Sequence, residues 1–173
     1  MKRVVVKFQY ESICPYCLTL EHTLIKWLKF GVPNERIVVF ERDEKGNITY
    51  SEKSLHSIIV EEAKRMGLND NEISELFERK PIVLVEEMVD VNGGKVSDSV
   101  VPARRMGIPI TFEVPSITIE FYKDGKLVNR VVVTAPTPYR IEELVAFPGN
   151  VKEEVARLYV RIKHIIDLFL KQY

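Results

Sequence analysis

Apolar and polar residues alternate most regularly in the second half of the chain. Over residues 116–122 apolar side chains occupy every second position, and an Asp124-Gly125 pair separates this run from a second β-rich run at 127–133. Two alternating runs joined by an Asp-Gly pair are typical of a β-hairpin. The hairpin alternates Ile117, Ile119 and Phe121 on one side with Thr118 and Glu120 on the other.

A strand followed directly by a helix is predicted at the start of the chain. Residues 3–10 are β-rich, and from 17 to 30 apolar residues recur near helical spacing until Gly31. Pro15 suits the first turn of that helix, where its missing N–H would be unpaired in any case. The predicted core residues of the strand are Val4, Val6 and Phe8.

The middle of the chain carries a mixture of predicted elements. A short buried strand is predicted at 37–40, a helix at 55–66, and a second helix that opens with a capping box of Asn69 and Glu72. A strand at 82–91 is predicted to form a hairpin with 95–101, because Asn92-Gly93-Gly94 is a strong turn signal.

The end of the chain is predicted to be helical. After a short helix around 103–106 and the hairpin, one helix is predicted from Thr137-Pro138 to residue 147. A longer helix follows, for which Asn150 and Glu153 are expected to form the N-terminal cap.

Length and composition narrow the class of protein. The 173 residues favour a single domain, and 46% hydrophobic with 29% charged residues is a globular composition. Lys and Arg (25) balance Asp and Glu (25), so no cationic field favours nucleic acid. No apolar run is long enough for a membrane span or a signal peptide, so a cytoplasmic protein is expected. Richness in Val, Ile, Glu and Lys hints at a thermophilic source.

The chemistry-bearing element is Cys14-Pro15-Tyr16-Cys17, at the predicted start of the first helix. Residues i and i+3 share a face of a helix, so the two sulfurs can form a disulfide or separate with little backbone motion. The unpaired N–H groups and the helix dipole favour a thiolate at Cys14. Cys14 is therefore expected to be the attacking sulfur and Cys17 the resolving one.

Two other interpretations of the cysteine pair stay open, a zinc half-site and a structural disulfide. Zinc needs four ligands, but His22, His56 and His164 show no paired spacing, so no metal site is predicted. A cytosolic protein seldom keeps a structural disulfide.

The predicted elements and the cysteine motif together resemble those of the thioredoxin superfamily. The resemblance depends on the strand, the cysteine motif, the helix and, far downstream, Val114-Pro115-Ser116 opening a hairpin. It implies that Pro115 is a cis-proline beside the cysteines and that the backbone of Val114 pairs with a substrate. The implied class is α/β: a central mixed sheet flanked by helices, with a helical or mixed insertion before the cis-proline strand and an extra C-terminal helix.

The resemblance also implies a function. Pro15-Tyr16 is the dipeptide usual in glutaredoxins, where it tunes the motif, and it occurs in protein disulfide oxidoreductases of heat-loving microbes. We therefore expect a single domain, residues 1–173 with an insertion at 44–101, that acts as a thiol-disulfide oxidoreductase on protein or small-molecule disulfides. Its partners would be disulfide-containing proteins and a recycling reductase, and its redox-active disulfide would need no cofactor.

Two alternative functions stay open at this point. One is a glutathione-dependent glutaredoxin, although residues 127–136 contain no glycine, unlike the glutathione-binding stretch of that family. The other is a binding module that keeps the fold without catalysis and uses the cysteines as a redox switch or as metal ligands.

Overall fold

A computed structural model describes residues 1–10, 15–88, 116–134 and 147–172. These residues belong to two compact units. Unit 1 takes its residues from Met1–Thr19 and Pro81–Pro138, and unit 2 from Leu20–Lys80 and Tyr139–Tyr173. The architecture is mixed α/β. The sequence prediction of one domain with an insertion at 44–101 stays a prediction.

Unit 1 is built on a mixed four-stranded sheet. Its strands are β1 (Lys2–Tyr10), β4 (Val83–Met88), β5 (Ser116–Lys123) and β6 (Lys126–Thr134), in the order β4-β1-β5-β6. β1 runs parallel to β4 and antiparallel to β5, and β5 pairs antiparallel with β6. The unit also includes most of helix α1 (Pro15–Leu20).

The β5–β6 hairpin forms as the sequence predicts. Asp124 (φ 52°) and Gly125 (φ 79°) supply the two left-handed residues that a tight turn between twisted strands needs. Register places Val4, Val6 and Phe8 opposite Phe121, Ile119 and Ile117, and all six side chains are at most 2% exposed. This apolar face of the sheet confirms the predicted core residues of the first strand.

The opposite face of the sheet is polar, yet it is buried as well. Gln9, Thr118 and Glu120 are each 1% exposed. When apolar and polar residues alternate along a strand, the polar side usually faces solvent. The alternation in this sequence therefore did not predict that the polar face is buried. Buried polar groups need partners, and those partners define the candidate site below.

Unit 2 contains two strands, three helices and a helical stretch that follows α1 in the chain. The stretch consists of a π-helical segment (Glu21–Ile25) and α2 (Lys26–Phe30), and the backbone keeps helical angles at both junctions. The other elements are β2 (Arg36–Arg42), β3 (Ile48–Ser54), α3 (Leu55–Arg65), α4 (Asp70–Leu76) and α5 (Pro148–Gln172). α4 begins with the predicted capping box of Asn69 and Glu72.

Of two predicted strands, one needs correction, and the hairpin predicted for the other stays a prediction. The predicted strand at 37–40 exists, but it buries only alternate side chains, Ile37 and Val39, because β2 pairs with β3 in a separate two-stranded sheet. Over its described part, the strand predicted at 82–91 forms β4 (Val83–Met88), which pairs with β1. The hairpin partner predicted for it, 95–101, lies outside the described residues, as does the predicted helix at 103–106.

The prediction for the last helix was wrong about its start. Asn150 lies within the first turn of α5, and the N–H groups of Asn150 and Val151 both donate to the carbonyl of Phe147. Pro148 therefore occupies the first helical position, which tolerates a residue without an N–H. The Asn150 side chain instead bonds to β2, accepting from the Phe40 N–H and donating to the Phe40 carbonyl, both at 2.9 Å. The predicted helix at 137–147 lies outside the described residues, apart from Phe147.

A buried carboxylate joins α3 to α5 within unit 2. Glu62 is fully buried and accepts hydrogen bonds from Arg65 (2.5 Å) and Arg157 (3.0 Å). The bond from Arg65 lowers the pKa of Glu62, burial opposes this, and Arg157 lowers it further, so that the net shift is downward.

Among the described residues, no helix has the length and apolarity that crossing a membrane would take.

Candidate functional site

The described part of the cysteine motif, Pro15 to Cys17, forms the start of the helix that the sequence predicts. β1 ends at Tyr10 and α1 begins at Pro15. A proline at the first helical position loses no hydrogen bond and has its φ already set for the helix. Cys14 itself lies outside the described residues.

Cys17 lies in the first turn of α1 and is buried. It is 2% exposed and its sulfur is disulfide-bonded. The chain has one other cysteine, Cys14. The neighbour Tyr16 is also buried, at 8% exposure, while Leu18 is 55% exposed. The first turn of the helix therefore turns the side chains of Tyr16 and Cys17 inward.

At the end of the sheet where β1 finishes, β1 lies between the last residues of β4 and the first residues of β5. The chain continues from this end of β1 into the cysteine motif. Tyr10, the last residue of β1, pairs with Met88 at the end of β4. Gln9 pairs with Ser116, the first residue of β5. The chain therefore leaves β1 and enters β5 at the same end of the sheet. Val114 and Pro115, for which the resemblance implies a role in substrate binding, directly precede Ser116 and lie outside the described residues.

Buried Gln9 bridges these three strands. Its Oε1 accepts a hydrogen bond from the Ser116 hydroxyl at 2.6 Å and one from the Thr118 hydroxyl at 3.3 Å. Its Nε2 donates to Glu87 Oε2 on β4 at 3.4 Å. A buried amide that bonds to both neighbouring strands fixes their register at the end of the sheet, because slipping by one residue would leave these groups unpaired.

Sequence reasoning did not single out Gln9. The signal was present, because Gln9 occupies the same side of β1 as Lys7, and the partner strand places Ser116, Thr118 and Glu120 on that side. A polar residue at each of these positions on two paired strands matches either a solvated face or a buried polar network. Burial decides between them, and burial is a tertiary property.

An ion cluster around the buried carboxylate of Glu120 continues this polar face away from the motif. The Glu120 side chain is 2% exposed, and its carboxylate lies 3.1 Å from Lys7 Nζ and 2.7 Å from Arg130 Nη2. Burial raises the pKa of Glu120, but hydrogen bonds from Arg130 and Lys7 outweigh it, and the net shift is downward. Glu120 therefore stays ionised at neutral pH and carries the charge that Lys7 and Arg130 need.

Metal-binding side chains do not cluster in the part of the chain that the structure describes. Within it, no group of three or more His, Cys, Asp or Glu side chains is arranged to hold a metal ion.

Of the predicted site residues, Cys17 and Tyr16 are placed, Pro15 is placed by its backbone, and Cys14, Val114 and Pro115 lie outside the described residues.

Comparisons with known proteins name no relative. Neither protein-family models, nor curated proteins, nor solved structures gave a match to this chain.

Proposed function

We propose that this chain is a thiol-disulfide oxidoreductase with a thioredoxin-like fold, in which Cys14 attacks a substrate disulfide and Cys17 resolves the product. The placement of Cys17 carries the proposal: it is a buried, disulfide-bonded residue in the first turn of a helix that directly follows a sheet strand. Burial suits a sulfur that attacks within the protein, and the other cysteine of the motif precedes it by three residues in the chain.

The order of elements in unit 1 supports the thioredoxin-like part of the proposal. The resemblance implies a strand, the cysteine helix, a further strand, a second helix, and then a hairpin opened by the proline. The segment predicted for that second helix, 103–106, lies outside the described residues. β1, α1, β4 and the β5–β6 hairpin follow in that order, and β4 returns parallel to β1 as a strand–helix–strand crossover requires.

The roles proposed for Val114 and Pro115 draw support from the start of β5. Ser116, the next residue in the chain, pairs with Gln9 at the end of the strand that leads to the motif. In the resemblance, the residue before the proline pairs with a substrate chain through its backbone, and β-strand addition of this kind uses backbone N–H and C=O groups.

The proposed reaction moves two electrons and two protons. The Cys14 thiolate attacks one sulfur of the substrate disulfide, forming a mixed disulfide and expelling the other substrate sulfur as a thiolate, which takes up a proton. Cys17 then loses its proton and attacks the Cys14 sulfur, expelling the second substrate thiolate, which is also protonated. The protein is left with a Cys14–Cys17 disulfide, and a recycling reductase must return it to the dithiol.

The test is trapping of the mixed disulfide. Cys17→Ala should accumulate a covalent adduct with a disulfide-bonded protein such as insulin, visible on a non-reducing gel and released by dithiothreitol. Cys14→Ser should form no adduct and lose insulin reduction, and Cys14→Ser/Cys17→Ala serves as the matched control for non-specific capture. Insulin reduction that survives Cys14→Ser would refute the assignment, provided that circular dichroism shows the variant to be folded.

Calorimetry separates a glutathione-dependent enzyme from one that uses a protein reductase. Titration of the Cys14→Ser/Cys17→Ala variant with reduced glutathione should give no heat of binding at about millimolar concentration if a protein reductase is the partner. Saturable binding in that range would assign the reductant to glutathione and leave the roles of the two cysteines unchanged.

A further inference from the structure

The helical stretch of unit 2 contains an unusual π-helical segment, Glu21–Ile25. Short π-helical segments inside α-helices are uncommon and are found frequently at functional sites. Two residues of this segment, His22 and Thr23, line a surface cleft of about 240 Å³. The widened turn and the cleft thus coincide.

The walls of this cleft are largely apolar. Trp27, Phe30 and Pro33 line it. Trp27 is 4% exposed and packs edge-on against Tyr159 with ring centroids 6.3 Å apart, while Phe30 is 64% exposed. The cleft therefore combines a nearly buried aromatic side chain, packed on Tyr159, with an exposed ring that has Lys29 Nζ 5.4 Å from its centroid, and aromatic walls suit a flat apolar group.

The second wall of the cleft is held by backbone hydrogen bonds. The helix ends where the Gly31 N–H donates to the Trp27 carbonyl at 2.8 Å, and Gly31 adopts a φ of 93°, which turns the chain back along the helix. The Glu35 N–H then donates to the Pro33 carbonyl at 3.0 Å. The cleft is preformed, so binding would cost little ordering of the backbone.

The charges that line the cleft are unbalanced. Lys152 Nζ donates to Glu35 Oε1 at 2.6 Å, so these two charges compensate each other. Lys26 also lines the cleft, is exposed, and has no ion pair with any residue that the structure describes. One positive charge beside apolar walls remains uncompensated, and it favours a ligand with one negative charge.

We propose that this cleft binds a small monocarboxylate with a flat apolar body, such as an arylalkanoate, with Lys26 facing the carboxylate and Trp27 and Phe30 contacting the ring. Its volume fits a ligand of this size, below the range of about 300–1,000 Å³ that is usual for drug-sized ligands. The proposal does not depend on the chemistry of the cysteines. All the residues it uses belong to unit 2.

Trp27 makes the proposal directly testable, because it is the only tryptophan in the chain. Titration with 4-phenylbutyrate should produce a saturable change in Trp27 fluorescence, with a Kd on the order of 1 mM, the affinity expected for a ligand of about twelve heavy atoms. The uncharged 4-phenylbutyramide should bind at least about threefold more weakly, because it lacks the charge that Lys26 faces.

Two charge-removing variants separate this cleft from general surface binding. Lys26→Gln should raise the Kd for 4-phenylbutyrate about three- to fivefold and abolish the preference over the amide. Lys64→Gln removes the same charge from an exposed position on α3 and should leave the Kd unchanged. Backbone amide shifts in NMR spectra should localise the ligand to the helical stretch and Gly31.

Three results would overturn the proposal. They are the absence of saturable change in both fluorescence and amide shifts up to about 20 mM ligand, equal affinity for the acid and the amide, and equal effects of the two lysine variants. Lys26 is exposed, so its replacement should not unfold the protein, and an unchanged thermal midpoint will verify this.

Discussion

The buried Gln9 bridge is the feature of the sheet whose removal has the most specific consequence. Gln9→Leu keeps the size of the side chain but deletes the acceptor of two buried hydroxyls, those of Ser116 and Thr118. A buried donor left without a partner costs about 1–3 kcal/mol. The Thr118 bond, at 3.3 Å, is long and belongs at the lower end of that range. The expected loss is about 2–4 kcal/mol in the stability of this sheet.

The assay must report on unit 1, which contains Gln9. Native-state hydrogen exchange of the β1 and β5 amides gives the free energy of opening of this sheet directly, residue by residue. Exchange of amides in α3 serves as the internal control, because α3 belongs to unit 2. Gln9→Leu should lower the opening free energy in β1 and β5 by about 2–4 kcal/mol.

A double-mutant cycle tests whether the loss comes from the bridge itself. Ser116→Ala removes the stronger of the two donors, and combining it with Gln9→Leu should cost less than the sum of the single changes, with a coupling of about 1 kcal/mol or more. Additive effects, or a loss below about 0.5 kcal/mol in Gln9→Leu, would show that the bridge does not hold these strands.

Two further predictions concern unit 2. Gly149→Ala should destabilise by about 3 kcal/mol, because its Cβ would lie 1.9 Å from the Val38 carbonyl oxygen. Gly46→Ala, where the added methyl meets open space and the only cost is the φ of 82°, should lower the thermal midpoint less. Glu62 has a pKa below its ordinary 4.5 in the folded protein, so its contribution to stability is complete above that value and is lost as the pH falls through the lowered pKa. Urea midpoints measured from about pH 6 to about pH 3 should fall more steeply for the wild type than for Glu62→Gln, and parallel curves would contradict this.

Local patterns were enough to predict many elements of this protein. The β5–β6 hairpin follows from alternation and from the Asp124-Gly125 turn, whose left-handed backbone few other residue pairs accept. The start of α1 at Pro15 and the capping box of Asn69 also follow from residues within one turn of each other. These features form from interactions between near neighbours in the chain, so a sequence window contains all their partners.

Partners distant in sequence could not be predicted in the same way. β2 and β4 are both short apolar runs, and only the folded chain shows that β4 lies beside β1 while β2 pairs with β3. Asn150 has the right neighbours for a helix cap, yet its amide meets the backbone of Phe40 instead. A polar side chain takes whichever backbone group the fold brings within reach, and the competing partner is far away in the sequence.

The candidate site also combines features set by neighbouring residues with features set by residues distant in the sequence. The sequence by itself determined the cysteine motif and its strand-to-helix setting, because two cysteines three positions apart at a helix start are a local property. Only the tertiary structure decided that Cys17 is buried, that β5 begins beside Gln9, and that the polar face of the sheet is enclosed. Burial and strand pairing depend on segments far apart in the chain, whereas helix position depends on the few residues around the motif.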